Sequence, residues 1–139
     1  MSNFIKQASI IAAAGNKPKI IEEYFGRINS KTETVSIAKM KSPSGWVEPA
    51  QTPDFDEYTV VLKGTVRITT TTEVFDVHAG QAILTPKGER VQYSTPGEEG
   101  AEYIAVCLPA FSPSLVKREE RRIGTLNHRV IDSINPLNQ

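Results

Sequence analysis

The stretch from Gly45 to Thr95 leaves this chain few ways to fold. It holds two glycine-bounded halves, GWVEPAQTPDFDEYTVVLKG and GQAILTPKGERVQYST, joined through the Thr-rich link Thr69–Thr72. Each half carries a strand-like run, Tyr58–Leu62 in the first and Gln81–Thr85 in the second, next to glycines that permit positive φ and tight corners. Two such strand pairs facing each other predict a small, closed antiparallel sheet.

The spacing within these halves resembles the two motifs of the cupin superfamily (RmlC-like). Gly45, Gln51, Pro53, Glu57 and Gly64 fall at the intervals of the first motif, and Gly80, Pro86, Gly88, Val91 and Thr95 at those of the second. The framework positions Gly45, Glu57, Gly64, Gly80, Pro86 and Gly88 match in residue type as well. Within the superfamily, the runs DEYTVVLKG and HAGQAILTPKGERVQYSTP are similar to the ethanolamine-utilisation EutQ-like branch, which also lacks the histidines. The resemblance implies an all-β, single-domain cupin barrel (a double-stranded β-helix, or jelly roll) with an N-terminal hairpin and a short C-terminal helix. It also implies a homodimer, in which the hairpin extends a sheet or packs on the partner and so covers an exposed edge.

Cupins usually hold a divalent metal with three histidines and a glutamate, and those positions here read Gln51, Pro53, Glu57 and Val91. Imidazole and carboxylate suit such metals, whereas proline and valine offer no side-chain donor. No metal ligand set is assigned, and the redox chemistry of metal-bearing cupins is not expected. A divalent metal through Glu57 and Gln51, with Glu48 as a further donor, is the one arrangement left open. The two histidines, His78 and His128, form no metal-spacing motif and miss the ligand positions.

At 139 residues and 15.3 kDa the chain fits one domain with a proper core. Sixteen basic and sixteen acidic residues balance to +0, which favours neither nucleic acid nor an anionic membrane surface. No apolar run approaches the roughly 20 residues that span a bilayer, and the SIIAAAG run near Lys6 is no signal peptide. The single Cys107 forms no internal disulfide, which fits a reducing compartment. A cytoplasmic protein is the expectation, with a buried and unreactive Cys107.

Along the chain, residues 1–16 predict a short arm or one helical turn. The run KIIEEYFGRI favours a strand with Ile21, Glu23 and Phe25 on one face, turning through Asn29–Thr32 into a second strand over Thr34–Ala38. Met40 to Gly45 reads as a loop, Gly64 as the start of a hairpin into Val66–Thr72, Pro86–Gly88 as a turn, and Ala101–Leu108 as the closing strand. Ser114 to Arg122 reads as a charged helix on the barrel's outside. The organisation is therefore an N-terminal arm and hairpin over 1–40, a barrel core over 41–112 and an extension over 113–139.

Alternation places Glu57, Thr59 and Val61 on one face and Tyr58, Val60 and Leu62 on the other. The cupin register puts Glu57 inside, where a desolvated carboxylate is a ligand anchor or general base. Its alternative is a structural pairing with Arg90 or a hydroxyl. Gln51 orients a polar ligand, and Glu48 does so unless it lies on the solvent-facing rim. Whichever of Gln92 and Tyr93 points inward adds an amide or a phenol, and Trp46 caps the mouth or simply packs. With Glu57 and Tyr93 as catalytic candidates, and Trp46, Glu48, Gln51, Thr59 and Gln92 as ligand-binding ones, the chain reads as a binder of a small organic ligand. The alternatives are an isomerase, lyase or cyclase using Glu57 as base, and an accessory protein of a catabolic pathway.

Overall fold

A computed structural model describes residues 1–119. Nine strands run in order: β1 Ser9–Ile11, β2 Ile20–Phe25, β3 Ser36–Ser42, β4 Trp46–Val47, β5 Asp56–Thr70, β6 Val74–His78, β7 Ala82–Thr85, β8 Val91–Thr95 and β9 Ala101–Leu108. A single turn of helix, α1 Pro113–Val116, follows. Every strand pairing is antiparallel.

The 15-residue β5 organises the rest. Its first half lies between β7 and β9, and β9 leads on to β3, β2 and β1. Its second half lies between β6 and β8, and β8 leads on to β4. One strand thus belongs to both walls. It crosses between them at Gly64, where φ is +72° and the β5–β9 register slips between Val61 and Lys63.

Gly64 therefore does not start a hairpin, as the sequence reading had it. It is a corner within a continuous strand, and the hairpin comes later, where Glu73 O accepts from Thr70 N at 2.9 Å. Both a corner and a hairpin call for positive φ, so the glycine alone did not distinguish them. A Cβ at this position would run into the Gly100 carbonyl.

Three further expectations shift. Met40–Ser42 is strand rather than loop, because β3 follows β9 in unbroken register from Ser36↔Cys107 to Ser42↔Ala101. The N-terminal arm takes up a third strand, β1, in place of a helical turn. The helix stops at Val116, since Lys117 turns left-handed at φ 54°. Arg118 then bridges Gln51, and Glu119 N donates to Ala50 O at 2.8 Å. The helix-forming composition of LVKREERR is overridden locally by these backbone bonds. The remainder of that expected helix, and His128, lie outside the described residues.

Alternation along β5 is as read: Glu57, Thr59 and Val61 are buried, while Tyr58, Val60 and Leu62 are exposed. Between the walls pack Trp46, Val61, Val66, Ile68, Val77, Val91, Tyr93, Ala101 and Tyr103. A smaller cluster of Phe55, Cys107 and Val116 closes the other end, so α1 plugs the barrel rather than lying outside it. Among the described residues, no helix is long and apolar enough to cross a membrane.

Replacing Gly64 with alanine is expected to cost at least about 2 kcal/mol of unfolding free energy, from the positive φ and the clash with backbone together. Urea denaturation of Gly64→Ala against wild type measures it.

Candidate functional site

Burying one face of β5 together with β8, β9 and the β2–β3 pair leaves a space that their side chains do not fill. This cavity, of about 60 Å³, is lined by Glu57 of β5, Tyr93 of β8, Tyr103 and Cys107 of β9, and Glu48 and Gln51 of the segment after β4. Lys19, Glu23, Met40 and Phe55 add to its wall, and Ile11, Ala14, Phe111 and Arg118 lie over it. A larger hollow of about 340 Å³ shares Ile11, Ala14, Glu23, Phe111 and Arg118 with it and carries the apolar Ala12, Ala13, Ile28 and Pro113. The inner space holds on the order of four waters' volume, so only a small group fits beside Glu57.

The inner cavity is rich in charge for its size. Glu57 is 9% exposed, Glu48 8% and Gln51 5%. Burial first, then the neighbouring Glu48 charge, push the Glu57 carboxyl up to about 7, against the pull of Lys19 and a hydrogen bond from Tyr93. Glu48 is raised by burial too, with Lys19 and Arg118 opposing. Burial pulls the Lys19 ammonium down, but Tyr103, Glu48 and Glu57 outweigh it and hold its pKa above the ordinary lysine value. Arg118 is lowered by its burial, which Glu48 partly offsets.

Burial and the nearby Glu57 raise the Tyr93 phenol well above its usual value, and its hydroxyl is 2.8 Å from Thr85 Oγ1. The Cys107 thiol is likewise raised by burial and by Glu57, which makes it an inert wall group, as read from the sequence. Glu23 is consumed structurally, since its Oε1 accepts from Ile28 N at 3.1 Å and Asn29 N at 2.9 Å.

One acceptor in this wall is unmatched. Gln51 Oε1 is buried and has no hydrogen-bond partner among the described residues. Its backbone is fixed on both sides by Val91, N to O and O to N at 2.9 Å each. Thr59 Oγ1, on the same face of β5 as Glu57 and fully buried, is unmatched too.

The structure brings together Glu57, Gln51, Glu48 and Tyr93. Glu48 is not on a solvent-facing rim, because Glu48 N donates to Tyr93 O at 3.2 Å and draws the residue inward. Gln92 points away from the cavity, its amide donating to Glu48 O at 3.0 Å. Trp46 does not line the cavity; it is fully buried in the core, with Nε1 donating to Ala14 O at 3.0 Å. Arg90 does not reach Glu57 and instead pairs with Glu119, Nη2 to Oε1 at 2.9 Å. His78 is exposed and bonded to Thr65 Oγ1 at 2.9 Å.

Sequence reasoning missed Lys19, Tyr103 and Arg118. Lys19 immediately precedes β2 and Arg118 follows α1, so only the folded topology brings them to Glu57. Glu23 had a signal, since alternation placed it on the face of Ile21.

The four positions that hold a metal in the motif do not fit one here. Pro53 and Val91 contribute only backbone carbonyls, bonded to Gly88 N and Gln51 N at 2.8 and 2.9 Å. No group of three or more His, Cys, Asp or Glu among the described residues is placed to hold a metal ion.

The family model described as the cupin domain matches residues 39–107. A curated relative from Myxococcus xanthus, named Endoribonuclease YbeY, is 42% identical over 101 residues, which is 73% of this chain and 34% of that protein. The chain thus spans about a third of that relative's length. An oxalate decarboxylase of Bacillus subtilis superposes with a TM-score of 0.69 at 20% identity, over 85% of this chain and 33% of that one. A putative ethanolamine utilization protein Q from Salmonella typhimurium does so with a TM-score of 0.59 at 16% identity, over 78% of this chain and all (100%) of the other. Residues 39–107 thus match the cupin domain, and the chain has the cupin fold, similar to that of the EutQ-like protein.

Proposed function

We propose that the cavity binds a small polar organic molecule through the protein's own side chains. The observation that carries this reading is Gln51 Oε1, a buried acceptor with no donor, in the wall of a cavity it shares with Glu57. Leaving such an acceptor unmatched costs about 1–3 kcal/mol, and a ligand N–H or O–H entering the cavity removes that cost. Lys19 offers a donor to a ligand oxygen, and Met40, Phe55 and Phe111 give apolar wall to its carbon skeleton. The adjoining larger hollow gives room for a second part of the molecule.

A second reading is favoured by one observation, the Glu57 carboxyl pushed up to about 7. A carboxylate so poised takes a proton near neutral pH, and Lys19 stands by to stabilise the oxygen on which the electron pair then settles. That chemistry suits an isomerase, lyase or cyclase. The accessory role of the EutQ-like proteins is a third option. Ribonuclease activity is not proposed, because the matched segment is 34% of the relative that bears that name.

Gln51→Leu tests the first reading. Folded stability is expected to stay level or to rise by about 1 kcal/mol, since an unsatisfied acceptor is removed. Thermal-shift responses to a panel of small hydroxy, amino and oxo acids, sugars and amines should disappear in the same variant. Responses that survive unchanged would count against the cavity as the binding site.

The Glu57 shift makes a separate prediction for stability. A carboxyl at about 7 when folded, against an ordinary 4.5, binds more protons in the native than in the unfolded state between those values. Stability is therefore lost as pH rises from about 4.5 through about 7, and levels off above. Glu57→Gln removes that loss, so at pH ~8 it should exceed wild type by up to on the order of 3 kcal/mol. The two should converge toward pH ~4.5. Urea melts across this range measure it, and a gap independent of pH would show that Glu57 is not perturbed as described.

A further inference from the structure

The disagreement between the metal motif and the residues that occupy it extends beyond the lost histidines. Besides Glu23, whose carboxylate accepts from the Ile28 and Asn29 amides, two carboxylates, Glu48 and Glu57, still face this cavity, and buried carboxylates need a compensating cation. Lys19 is that cation for Glu57, and it shares Glu48 with Arg118. Its Nζ lies 4.0 Å from the centroid of the Trp46 ring and 5.3 Å from that of Tyr103, so two aromatic rings hold it by their negative faces.

Each ring is itself fixed. Trp46 Nε1 is bonded to Ala14 O, and Gly15, at φ +123°, leaves room for the indole where a Cβ would strike it. Tyr103 Oη is 3.0 Å from Ser42 Oγ in the core. The ammonium is thereby placed in advance, with little side-chain freedom left to lose.

We propose that the Lys19 ammonium, caged by Trp46 and Tyr103, is the resident cation of this barrel, excluding divalent metal from the Glu48–Glu57 cavity and taking a ligand's anionic or carbonyl oxygen in the metal's place. Electrostatics agree, since the carboxylates and Tyr103 keep Lys19 charged through neutral pH in spite of its burial. A divalent ion entering here meets a fixed positive charge and a donor set that has lost its imidazoles. An ammonium differs from a metal in what it gives a ligand: N–H donors and a single charge, with no vacant coordination position and no redox couple. The ligand's orientation, oxygen to Lys19 and donor hydrogen to Gln51, rests on the binding reading above; the exclusion of metal does not.

The test needs no ligand. Isothermal titration with Mn²⁺, Ni²⁺ and Zn²⁺ compares Gln51→His, which restores one imidazole with the ammonium present, with Lys19→Met/Gln51→His, which offers the same donors without it. The double variant is expected to bind one equivalent at least about tenfold more tightly than Gln51→His alone, and to lose that binding when Glu57→Gln is added. Equal affinities, or no binding by either folded variant, overturn the proposal. Should Lys19→Met not fold, Lys19→Gln, a neutral side chain that keeps a donor toward the rings, carries the same comparison. Failure of the small-molecule reading shows instead as ligand responses that persist in Gln51→Leu, so the two failures are distinguishable.

Discussion

Sharing β5 between both walls is the constraint from which the rest follows. Because one strand pairs with β7 and β9 before Gly64 and with β6 and β8 after it, the walls cannot slide past each other without breaking its ladder. That fixes the face on which Glu57 stands. A one-residue slip would turn Glu57, Thr59 and Val61 out to solvent and bring in Tyr58, Val60 and Leu62. The site chemistry is therefore held by backbone hydrogen bonds far more numerous than the contacts within the site.

On that frame the cavity is an electrostatic compromise. Besides the backbone-bonded Glu23, two carboxylates and two cationic side chains share a small volume, and each departs from its ordinary pKa there. The result is a carboxyl near neutrality, an ammonium held charged, and a guanidinium weakened by burial. Buried charge of this kind rarely adds stability over an apolar packing of the same volume. Its retention beside an unmatched amide oxygen is what directs attention to ligand binding rather than to architecture.

How much of this was legible beforehand divides along physical lines. A closed sheet followed from glycine spacing and the two faces of β5 from two-residue alternation, both local properties of the chain, while the face that points inward followed from the cupin resemblance. Gln51 and Tyr93 were candidates by position, but whether Tyr93 or Gln92 turns inward was open from the sequence and is set only by the pairing of β8 with β5 and β4. Lys19 and Arg118 were not legible, because each lies outside the matched segment and reaches the cavity only when the chain ends fold over it. Glu48 stayed open between cavity and rim for a related reason: the segment after β4 is irregular, so alternation gave no direction. Residues 117–119, after α1, show propensity losing to tertiary bonds, as Lys117 turns and Arg118 pairs with Gln51.

The roof over the cavity differs in kind from its walls. Ile11 and Ala14 from one end of the described chain, and Phe111 and Arg118 from the other, close it, held by bonds such as Trp46 Nε1 to Ala14 O and Glu119 N to Ala50 O. The walls are built mainly on the strands β2, β3, β5, β8 and β9. On the binding reading proposed above, a molecule reaching Gln51 by way of the shared hollow passes these segments, and Phe111 and Arg118, which also line the cavity, bear on its exchange and on its hold alike.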